Sequence, residues 1–541
     1  PNSFGPDVLG VTDQYSKVIN PTVYSTLTYE TTFRKDHNFR FLAGYEQVSH
    51  KNQNLRGRRT NSAAPVLEDL TGYLPTGETL YFNHPRLPSL AGPSEWALRS
   101  YFGRVNYNFQ GKYLFEANIR HDGTSKVSPE YRWGTFPSVS AGWLMTEERF
   151  LKDKFNWLSN LKLRASYGEL GNQDVGTCLF QDNLAINNVF YSFNNASLEQ
   201  GAVNNTFREA SLRWESTRVL DFGLDADIRN GLFGLTFDWF NKTTYNILAQ
   251  QPIPASLGLA APTTNDGKLR NRGIELTLSH QNKIGQISYG ANILLSTAKN
   301  EVLSIRVPSE SGSSIRKVGL PYDEHYLYVW DGIFQEEDIN NPNVPVHADR
   351  LNPQPGDLKM KDLDGDGDVD ANDRQVVDGV YPDLTYSFGL NLGYKRFSLN
   401  AFFQGVEGIS SRVVGWGVDP FHQGAAPMTK WRNAWTSENR SNTMPAIYIQ
   451  GYPGVQTYVG STYFLQDASY LRLKNLIISY DLPVLLAKKV GASGINVYVS
   501  GDNLFTITKY EGGDPERANP TGNFAQYPQT RIYNVGVNVK F

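Results

Sequence analysis

Hydrophobic and polar residues alternate along much of this chain with a period of two. From residue 384 to residue 394 every even position is apolar and every odd position is small or polar. After Lys395-Arg396 the alternation resumes through Phe397, Leu399, Ala401 and Phe403. A period of two places successive side chains on opposite faces of a β-strand. The pattern therefore predicts a long β-hairpin with one apolar and one polar face.

Other segments repeat the same arrangement. One runs from Leu220 to Ile228 and returns from Phe233 to Trp239 across Asn230-Gly231, a preferred two-residue hairpin turn. Two more pairs are predicted at residues 274–278 with 287–295, and at residues 27–33 with 39–45. These runs are about 10 to 12 residues long, which is typical of strands that cross a membrane and long for a soluble sheet.

The connections between the predicted strands alternate between short and long. Short turns are predicted near residues 34–37, 110–112, 229–231, 283–286 and 395–396. Long polar connections are predicted near residues 50–93, 171–213, 248–270, 300–383, 405–462 and 507–529. Short periplasmic turns and long extracellular loops are typical of outer-membrane barrels. The sequence thus predicts an all-β fold, a transmembrane antiparallel β-barrel with about 15 strands in this chain.

Composition narrows the class of protein. Charged residues make up 19% and aromatic residues 13%, with a mean hydropathy of −0.43. No apolar run approaches the roughly 18 residues that a membrane-spanning helix needs. The formal net charge of −3 gives no reason to expect nucleic acid as a partner. The single cysteine, Cys178, lies in a predicted loop and is interpreted as a free thiol without function.

The last residues form the apolar face of a closing strand. Tyr533, Val535, Val537 and Val539 alternate with polar or small residues, and the chain stops at Phe541. We expect Phe541 to act as the signal that outer-membrane assembly machinery reads, with the C-terminus in the periplasm. The chain begins without an initiator Met or a signal segment, so we expect a longer precursor. Single-chain bacterial barrels have even strand numbers, so the odd count predicts earlier strands outside this chain.

The segment from residue 362 to residue 373 is the sharpest local motif. Its spacing matches the calcium-binding loop of EF-hands, with Gly367 at the position of the sharp turn. The predicted ligands are Asp362, Asp364, Asp366, Asp368 (through its carbonyl), Asp370 and Asp373. Calcium would neutralise these carboxylates and order a long loop. Asp at the last position replaces the usual Glu, no helix pair flanks the motif, and a solvated acidic turn is the alternative.

Candidate catalytic motifs are absent from the sequence. It contains no H-E-x-x-H, G-x-S-x-G or phosphate-binding loop, and its eight histidines are scattered. We therefore expect no enzymatic activity. Aromatic rings in the long loops suit carbohydrate or peptide ligands, although loop packing is the more common role of such rings. The candidates for substrate binding are Tyr328, Trp330, Trp416 and Trp431.

Several motifs together resemble the SusC/RagA-type TonB-dependent transporters of Bacteroidetes. The resemblance lies first in residues 356–377, Pro382–Phe388 and Phe402–Gly405. Further matching segments are Ser100–Tyr107, Lys112-Tyr113, Arg120–Ser125, Phe136–Val139, Leu161–Gly168, Tyr470–Leu476, Asn503–Phe505 and Gly513–Glu516. The resemblance covers nearly the whole chain.

This resemblance implies a 22-stranded barrel of which residues 1–541 are the C-terminal part. An N-terminal plug domain and the first strands are then expected outside this chain. The implied function is TonB-dependent import of a bulky nutrient, an oligosaccharide first and a peptide second. The implied partners are the TonB complex, outer-membrane lipid and a SusD-like surface lipoprotein.

Two other interpretations of the sequence are considered. A passive porin-type channel needs about as many strands and no partner. A secreted, β-rich carbohydrate-binding protein or hydrolase would use the same aromatic loops. A plug domain in the precursor would exclude the porin, and dependence on detergent would exclude the secreted protein.

Overall fold

The structure is a computed structural model of the 541-residue chain. It describes residues 10–60, 81–82, 94–152, 154–177, 179–181, 184–185, 190–192, 198–204, 208–251, 253–348, 352–415, 418–421, 426–448, 460–517, 521–522 and 529–541. Cys178 and Trp416 lie outside the described residues.

β-strand is the predominant secondary structure of the described residues. Strands of the first half are β1 Gly10–Ile19, β2 Thr22–Phe33, β3 His37–Thr60, β4 Tyr81–Phe82, β5 Ser94–Phe109, β6 Tyr113–Thr124, β7 Trp133–Leu144, β8 Leu158–Asn172, β9 Leu184–Ala185, β10 Phe190–Ser192, β11 Leu198–Gln200, β12 Val203–Asn204, β13 Glu215–Ile228, β14 Phe233–Tyr245, β15 Leu248–Gln250, β16 Thr263–Asn265 and β17 Lys268–Ile284.

The second half continues the same architecture. Its strands are β18 Ile287–Ser304, β19 Ser309–Ser311, β20 Ser314–Arg316, β21 Glu324–Tyr328, β22 Trp330–Ile333, β23 Val346–His347, β24 Leu358–Met360, β25 Asp368–Val369, β26 Arg374–Val377, β27 Leu384–Tyr394, β28 Phe397–Glu407, β29 Ser410–Val413, β30 Leu465–Asp467, β31 Tyr470–Asp481, β32 Gly494–Thr508, β33 Thr521–Gly522 and β34 Ile532–Lys540.

Helices are few and short in the described residues. The α-helix is α1, Val484–Lys489. Single 3₁₀ turns occur at Pro129–Tyr131, Met145–Glu147, Ala255–Leu257, Glu336–Asp338, Ala371–Asp373, Thr429–Asn433, Thr462–Phe464 and Pro515–Arg517. None of the helices in this part of the chain is both long and apolar enough to cross a membrane.

Two compact units divide the chain. The first comprises Pro1–Ala141, Ser166–Arg218 and Thr244–Gly267, and the second Gly142–Ala165, Val219–Thr243 and Lys268–Phe541. In the first unit β1 and β2 pair antiparallel with successive parts of β3, which also pairs with β5, and β5 pairs with β6. A small buried core forms beside these strands, where the rings of Phe136 and Trp214 meet edge to face at 5.3 Å.

The second unit contains an unbroken antiparallel ladder. Its order is β17, β18, β27, β28, β31, β32 and β34, each strand hydrogen-bonded to the next. The tight turns between these strands use left-handed backbone, with φ of +59° at Gly285 and +55° at Lys395. Glycine adopts this conformation without strain, which suits the first turn. The turn at residues 395–396 joins β27 to β28 where the sequence predicted it.

Register in this ladder collects the apolar side chains on one face. Leu390, Leu392 and Tyr394 lie on that face and are 40 to 50% exposed. On β34 the same face carries Val535 and Val537, which are still more exposed. Exposed apolar surface this extensive is rare on soluble monomers and marks a surface that contacts an apolar phase. The opposite face is rich in Asn, Ser and Gly, as predicted.

Sixteen of the described strands have nine or more residues. β1 and β2 pair with successive parts of β3 and therefore count as one passage of the chain. The sixteen long strands thus make fifteen passages. This count agrees with the sequence-based prediction. Within the predicted connection at residues 300–383, β21 and β22 pair with short strands and add no passage.

Several strands are longer than the alternating pattern predicted. β3 continues to Thr60, and β18 continues to Ser304, into segments predicted to be loops. In both cases a partner strand extends alongside, so the backbone hydrogen bonds continue. The apolar alternation ends earlier because it marks only the part of a strand that contacts the apolar phase, whereas backbone pairing requires no particular side chains.

A lysine placed on the apolar face should destabilise the fold, and a lysine on the polar face should not. We expect Leu390→Lys to lower the free energy of unfolding by about 2–4 kcal/mol if the residue lies near the middle of a lipid layer, because the lysine charge must then leave water. Heat-induced unfolding of the protein in lipid, followed by the mobility shift on gels, measures the effect.

The matched control is the adjacent Asn391→Lys, which projects from the opposite face. Its melting temperature should stay near that of the parent. Equal losses in the two variants would contradict the assignment of the faces.

Candidate functional site

The segments that join the long strands of the second unit fold into small sheets. β19, β20, β21 and β26 form one sheet, β22 pairs with β24, and β29 lies between β30 and β33. Apolar side chains from these pieces pack into one buried cluster that includes Tyr328, Leu358, Val413, Phe464 and Tyr510. The long connections therefore contain an ordered core.

Of the predicted substrate-binding rings, Tyr328 belongs to this core and Trp330 packs against it, while Trp431 is buried elsewhere in the connections. Tyr328 is 9% exposed and meets the His347 ring edge to face at 4.7 Å. Trp431 is 3% exposed and donates its indole N–H to the carbonyl oxygen of Val418 at 2.8 Å. Trp330 is half-buried against Tyr463. These contacts order the loops, and the predicted contact of these rings with a ligand stays a prediction.

The acidic segment closes on itself through backbone hydrogen bonds. Asp362 accepts the N–H groups of Gly365 at 2.6 Å and Gly367 at 2.9 Å. Both glycines are left-handed, with φ of +78° and +98°, so a side chain at either position would be strained. Asp373 accepts the N–H groups of Leu363 at 2.6 Å and Asp370 at 2.7 Å, which joins the two ends of the loop.

Three of the six predicted ligands come together. One carboxylate oxygen from each of Asp362, Asp364 and Asp373 lies within 4.8 Å of the others. Asp373 is fully buried, and no Lys or Arg of the described chain forms an ion pair with any of the three. Negative charge is therefore concentrated here without a basic partner, an arrangement that a hard divalent cation with oxygen ligands would stabilise.

The structure gives the other three aspartates different local contacts. Asp366 accepts the N–H of Asp368 at 2.9 Å, and Asp370 accepts the N–H of Asn372 at 2.7 Å at the start of a 3₁₀ turn. Asp368 is exposed at the edge of β25. None of their carboxylates belongs to the cluster of three.

The carboxyl groups of Asp362 and Asp364 differ in acidity. The backbone N–H of Gly367, aided by that of Gly365, lowers the pKa of Asp362. Partial loss of water contact raises the pKa of Asp364, and the neighbouring carboxylates of Asp366, Asp373 and Asp362 also raise it. The folded loop therefore favours the ionised form of Asp362 more than that of Asp364.

Arg374 ties the acidic segment to the neighbouring sheet. Its guanidinium lies 4.6 Å from the centre of the Tyr326 ring and pairs with Glu310 at 3.0 Å. It also donates to the carbonyl oxygen of Gly312 at 3.1 Å. A cation over an aromatic face is held by the electrostatics of the ring as well as by the ion pair. The acidic loop is thus fixed at its end.

A buried carboxyl and a buried imidazole lie next to each other on β21. Glu324 is 1% exposed and accepts the N–H groups of His325 at 3.0 Å and Val380 at 3.2 Å. Burial raises the pKa of Glu324 and lowers that of His325. Each shift favours the uncharged form, as expected where water is excluded.

An ion-pair network joins the long strands to another connection. Arg472 on β31 is 3% exposed at its side chain and binds both carboxylate oxygens of Asp514 at 2.9 Å. Its other nitrogens contact Glu516 and, at 2.8 Å, the hydroxyl of Thr506, while Lys474 binds Glu516 at 2.8 Å. The β31–β32 register skips Lys474 at a bulge, and Lys474 and Arg472 contact the same carboxylate, that of Glu516.

Tyr470–Leu476 and Gly513–Glu516 are separate motifs in the sequence, and their contact was not predicted. Their separation of about forty residues gives no local pattern. The only available signal was two oppositely charged motifs flanking the same pair of predicted strands, β31 and β32.

A cavity of about 660 Å³ lies on the polar face of the second unit, beside the short turns. Its wall includes the amides and hydroxyls of Gln281, Ser288, Asn391, Ser398 and Asn400, together with the cations Arg229 and Lys283. Amides and hydroxyls both donate and accept hydrogen bonds, whereas Arg and Lys only donate them. This wall suits polar solutes and water.

Known proteins resemble this chain in sequence. Residues 2–504 match the family described as "TonB dependent receptor-like, beta-barrel". The chain is 30% identical to TonB-dependent receptor P3 of Formosa agariphila, over 98% of this chain and 53% of that protein. It is 27% identical to TonB-dependent receptor SusC of Bacteroides thetaiotaomicron, over 85% of this chain and 46% of that protein. The chain thus spans about half the length of these relatives.

The fold also matches a solved structure. That structure is the RagAB peptide transporter, with a TM-score of 0.80 at 24% identity, over 98% of this chain and 56% of the matched one. At this identity the likeness shows the fold alone. The resemblance inferred from the sequence motifs and the predicted fold class are both confirmed.

Removing Arg472 should loosen the connection that carries Asp514. We expect Arg472→Met to lower the free energy of local unfolding of this connection by about 3–5 kcal/mol, because two carboxylates lose a buried cationic partner. Hydrogen exchange of the amides at residues 510–517 should then speed up, while exchange in the long strands stays slow.

Lys430→Met provides the comparison, because its partner Glu511 is in the same connection but is 63% exposed. An exposed ion pair contributes little to stability, so hydrogen exchange of the amides at residues 510–517 should change only slightly in Lys430→Met. Unchanged exchange in Arg472→Met would mean that the network does not hold the connection.

Proposed function

The chain belongs to the family of TonB-dependent receptor-like β-barrels, and from this membership we propose that it forms part of an outer-membrane transporter for a bulky nutrient. Members of this family are transporters and not enzymes. The observation that carries the proposal is the continuous exposed apolar face of the β17–β34 ladder, on strands long enough to cross a membrane.

The proposed orientation follows from the connections. The short turns, such as that at Lys395, face the periplasm, and the ordered long connections face the outside. The C-terminus is then periplasmic. Support comes from the usual arrangement of such barrels, in which the long loops are extracellular.

The remaining part of the transporter supplies a plug and further strands. Among the described strands β34 pairs with β32 alone and β2 with β3 alone. Each therefore has an edge whose N–H and C=O groups need partners, and lipid offers none. We propose that residues 1–541 are the C-terminal part of a 22-stranded barrel, and that the missing strands complete these edges.

Two protein partners belong to the proposal. The TonB complex delivers energy through the part of the transporter outside this chain, and a SusD-like surface lipoprotein covers the long connections. Support for the first is the family, and support for the second is the likeness to SusC and to RagAB. The rigid cores of the connections offer such a lipoprotein a fixed surface.

An oligosaccharide is the first candidate substrate and a peptide the second. The amides and hydroxyls around the cavity can exchange hydrogen bonds with sugar hydroxyls, and Arg229 and Lys283 can donate to them as well. A peptide would use the same groups through its backbone, so this wall accepts both classes.

Calcium is the proposed structural cation of the acidic segment. Asp362, Asp364 and Asp373 would supply the carboxylate oxygens. Calcium bound there would offset the repulsion between them and fix the loop ends, which Asp373 already joins. The other predicted ligands, including the carbonyl of Asp368, stay predictions, as does the assembly role of Phe541, which is 89% exposed just beyond β34.

The calcium proposal is tested by neutralising the cluster. In the full-length protein, Asp362→Asn combined with Asp364→Asn should weaken calcium binding by at least about tenfold, because two charged ligands are lost. Titration calorimetry after chelator treatment measures the affinity.

Asp368→Asn is the matched control, since its carboxylate lies outside the cluster in the same loop. Its affinity should stay within about twofold of the parent. Full affinity in the double variant would show that these carboxylates are not the ligands.

Transport is tested by uptake in cells that express the full-length protein. Uptake of labelled oligosaccharides and peptides should require the protein and should stop when TonB is deleted or the proton gradient is collapsed. Uptake that persists without TonB would support a passive porin instead. Comparing the two labelled classes identifies the substrate.

A further inference from the structure

Two basic residues face each other across β17 and β18. Arg272 is directly opposite Lys299 in the register, and both side chains are exposed. Gly273 permits this close approach, because a Cβ there would lie 1.9 Å from the carbonyl oxygen of Thr297. One step further along the same face, Arg270 pairs with Glu301 at 2.6 Å.

This pairing is unfavourable by itself. Like charges directly opposite one another in a sheet destabilise it. In the described part of the chain neither Arg272 nor Lys299 forms an ion pair within 4.0 Å, and Glu301, which lies next to them on the same face, is already bound by Arg270. Three cations and one carboxylate leave this group with a net charge of +2.

Two basic residues at other strand ends have ion-pair partners. Lys51 pairs with Glu95 at 2.6 Å, and Arg218 pairs with Glu169 at 3.3 Å. The Arg272–Lys299 pair differs from these two ion pairs, because both of its members are cations. Both can therefore bind an anion from outside the chain.

The location of Arg272 and Lys299 along the strands indicates where such an anion would lie relative to the membrane. Arg272 and Lys299 share the face that carries Ile274, Leu278 and Ile293, which are exposed. On β18 this face is apolar from Ile287 to Leu295. A strand tilted by about 40° rises about 2.5 Å per residue along the membrane normal, so this stretch spans about 20 Å, most of the roughly 25 Å height of the apolar band of a membrane barrel. The basic pair lies directly beyond it, at the level of the lipid headgroups.

We propose that Arg272 and Lys299 bind the phosphate of a phosphorylated lipid headgroup in the leaflet next to the long connections. The planar guanidinium of Arg272 suits two parallel hydrogen bonds to phosphate oxygens, and the Lys299 ammonium adds a point charge. The inference rests on the proposed membrane location and orientation. A soluble anion is disfavoured as the occupant because the site adjoins the apolar face and not the polar one.

The test uses the full-length protein purified in neutral detergent. Diphosphoryl lipid A is titrated into it, and binding is followed by native mass spectrometry and by the rise in melting temperature. Arg272→Gln combined with Lys299→Gln should weaken lipid A binding by at least about tenfold, because two charge-assisted contacts are lost. Dephosphorylated lipid A should bind the parent as weakly as the variant binds the phosphorylated form.

The control removes two positive charges at the opposite end of the strands. Lys395→Gln combined with Arg396→Gln lies at the short turn and should leave lipid A affinity within about twofold. Parent-like affinity in the Arg272/Lys299 variant would overturn the proposal. So would a loss confined to the Lys395/Arg396 variant, or inorganic phosphate that binds as tightly as the lipid.

This readout is separate from the proposed transport. Lipid binding is measured without substrate or TonB, so a protein that imports neither labelled class can still show the expected pattern. A loss of uptake therefore counts against the proposed function and leaves the lipid site to be judged by the titrations.

Discussion

The backbone hydrogen-bond ladder is the constraint on which the rest of this structure depends. In lipid no water satisfies a peptide N–H or C=O, so each long strand must pair with its neighbours throughout. Pairing fixes the register, and the register fixes which side chains share a face. Leu390 contacts the apolar phase and Asn391 faces the polar side because they are adjacent on β27, whatever their partners on β28.

The ladder also explains how the long connections become ordered. Strands such as β3 and β18 continue beyond the apolar band because their backbone pairing does not end there. The connections start from these rigid extensions and add small sheets that bury Tyr328, Phe464 and Tyr510. Burial of such rings stabilises the connections in the way that it stabilises a soluble domain.

The sequence predicted the strands, the turns and the faces because each of these has a local cause. A two-residue period is visible within ten residues, and Asn230-Gly231 sets its turn by itself. The site was predicted less fully. The acidic motif was found from its spacing, but the grouping of Asp362 and Asp364 with Asp373 depends on how the loop closes. The contact of Arg472 with Asp514, and the burial of Trp431, depend on segments far apart in the chain, for which a single sequence holds no periodic signal.

Charge in the connections is accommodated in three physically different ways. Arg472 is buried with two carboxylates, so its charge is neutralised by partners. Burial raises the pKa of Glu324, which favours its uncharged form. Asp373 is buried with backbone N–H donors alone, which stabilise one carboxylate but do nothing for the repulsion from Asp362 and Asp364. The third way leaves negative charge uncompensated, and the Arg272–Lys299 pair leaves positive charge uncompensated on the strands. At both places the folded chain is electrostatically incomplete, and an ion or a headgroup from outside would complete it.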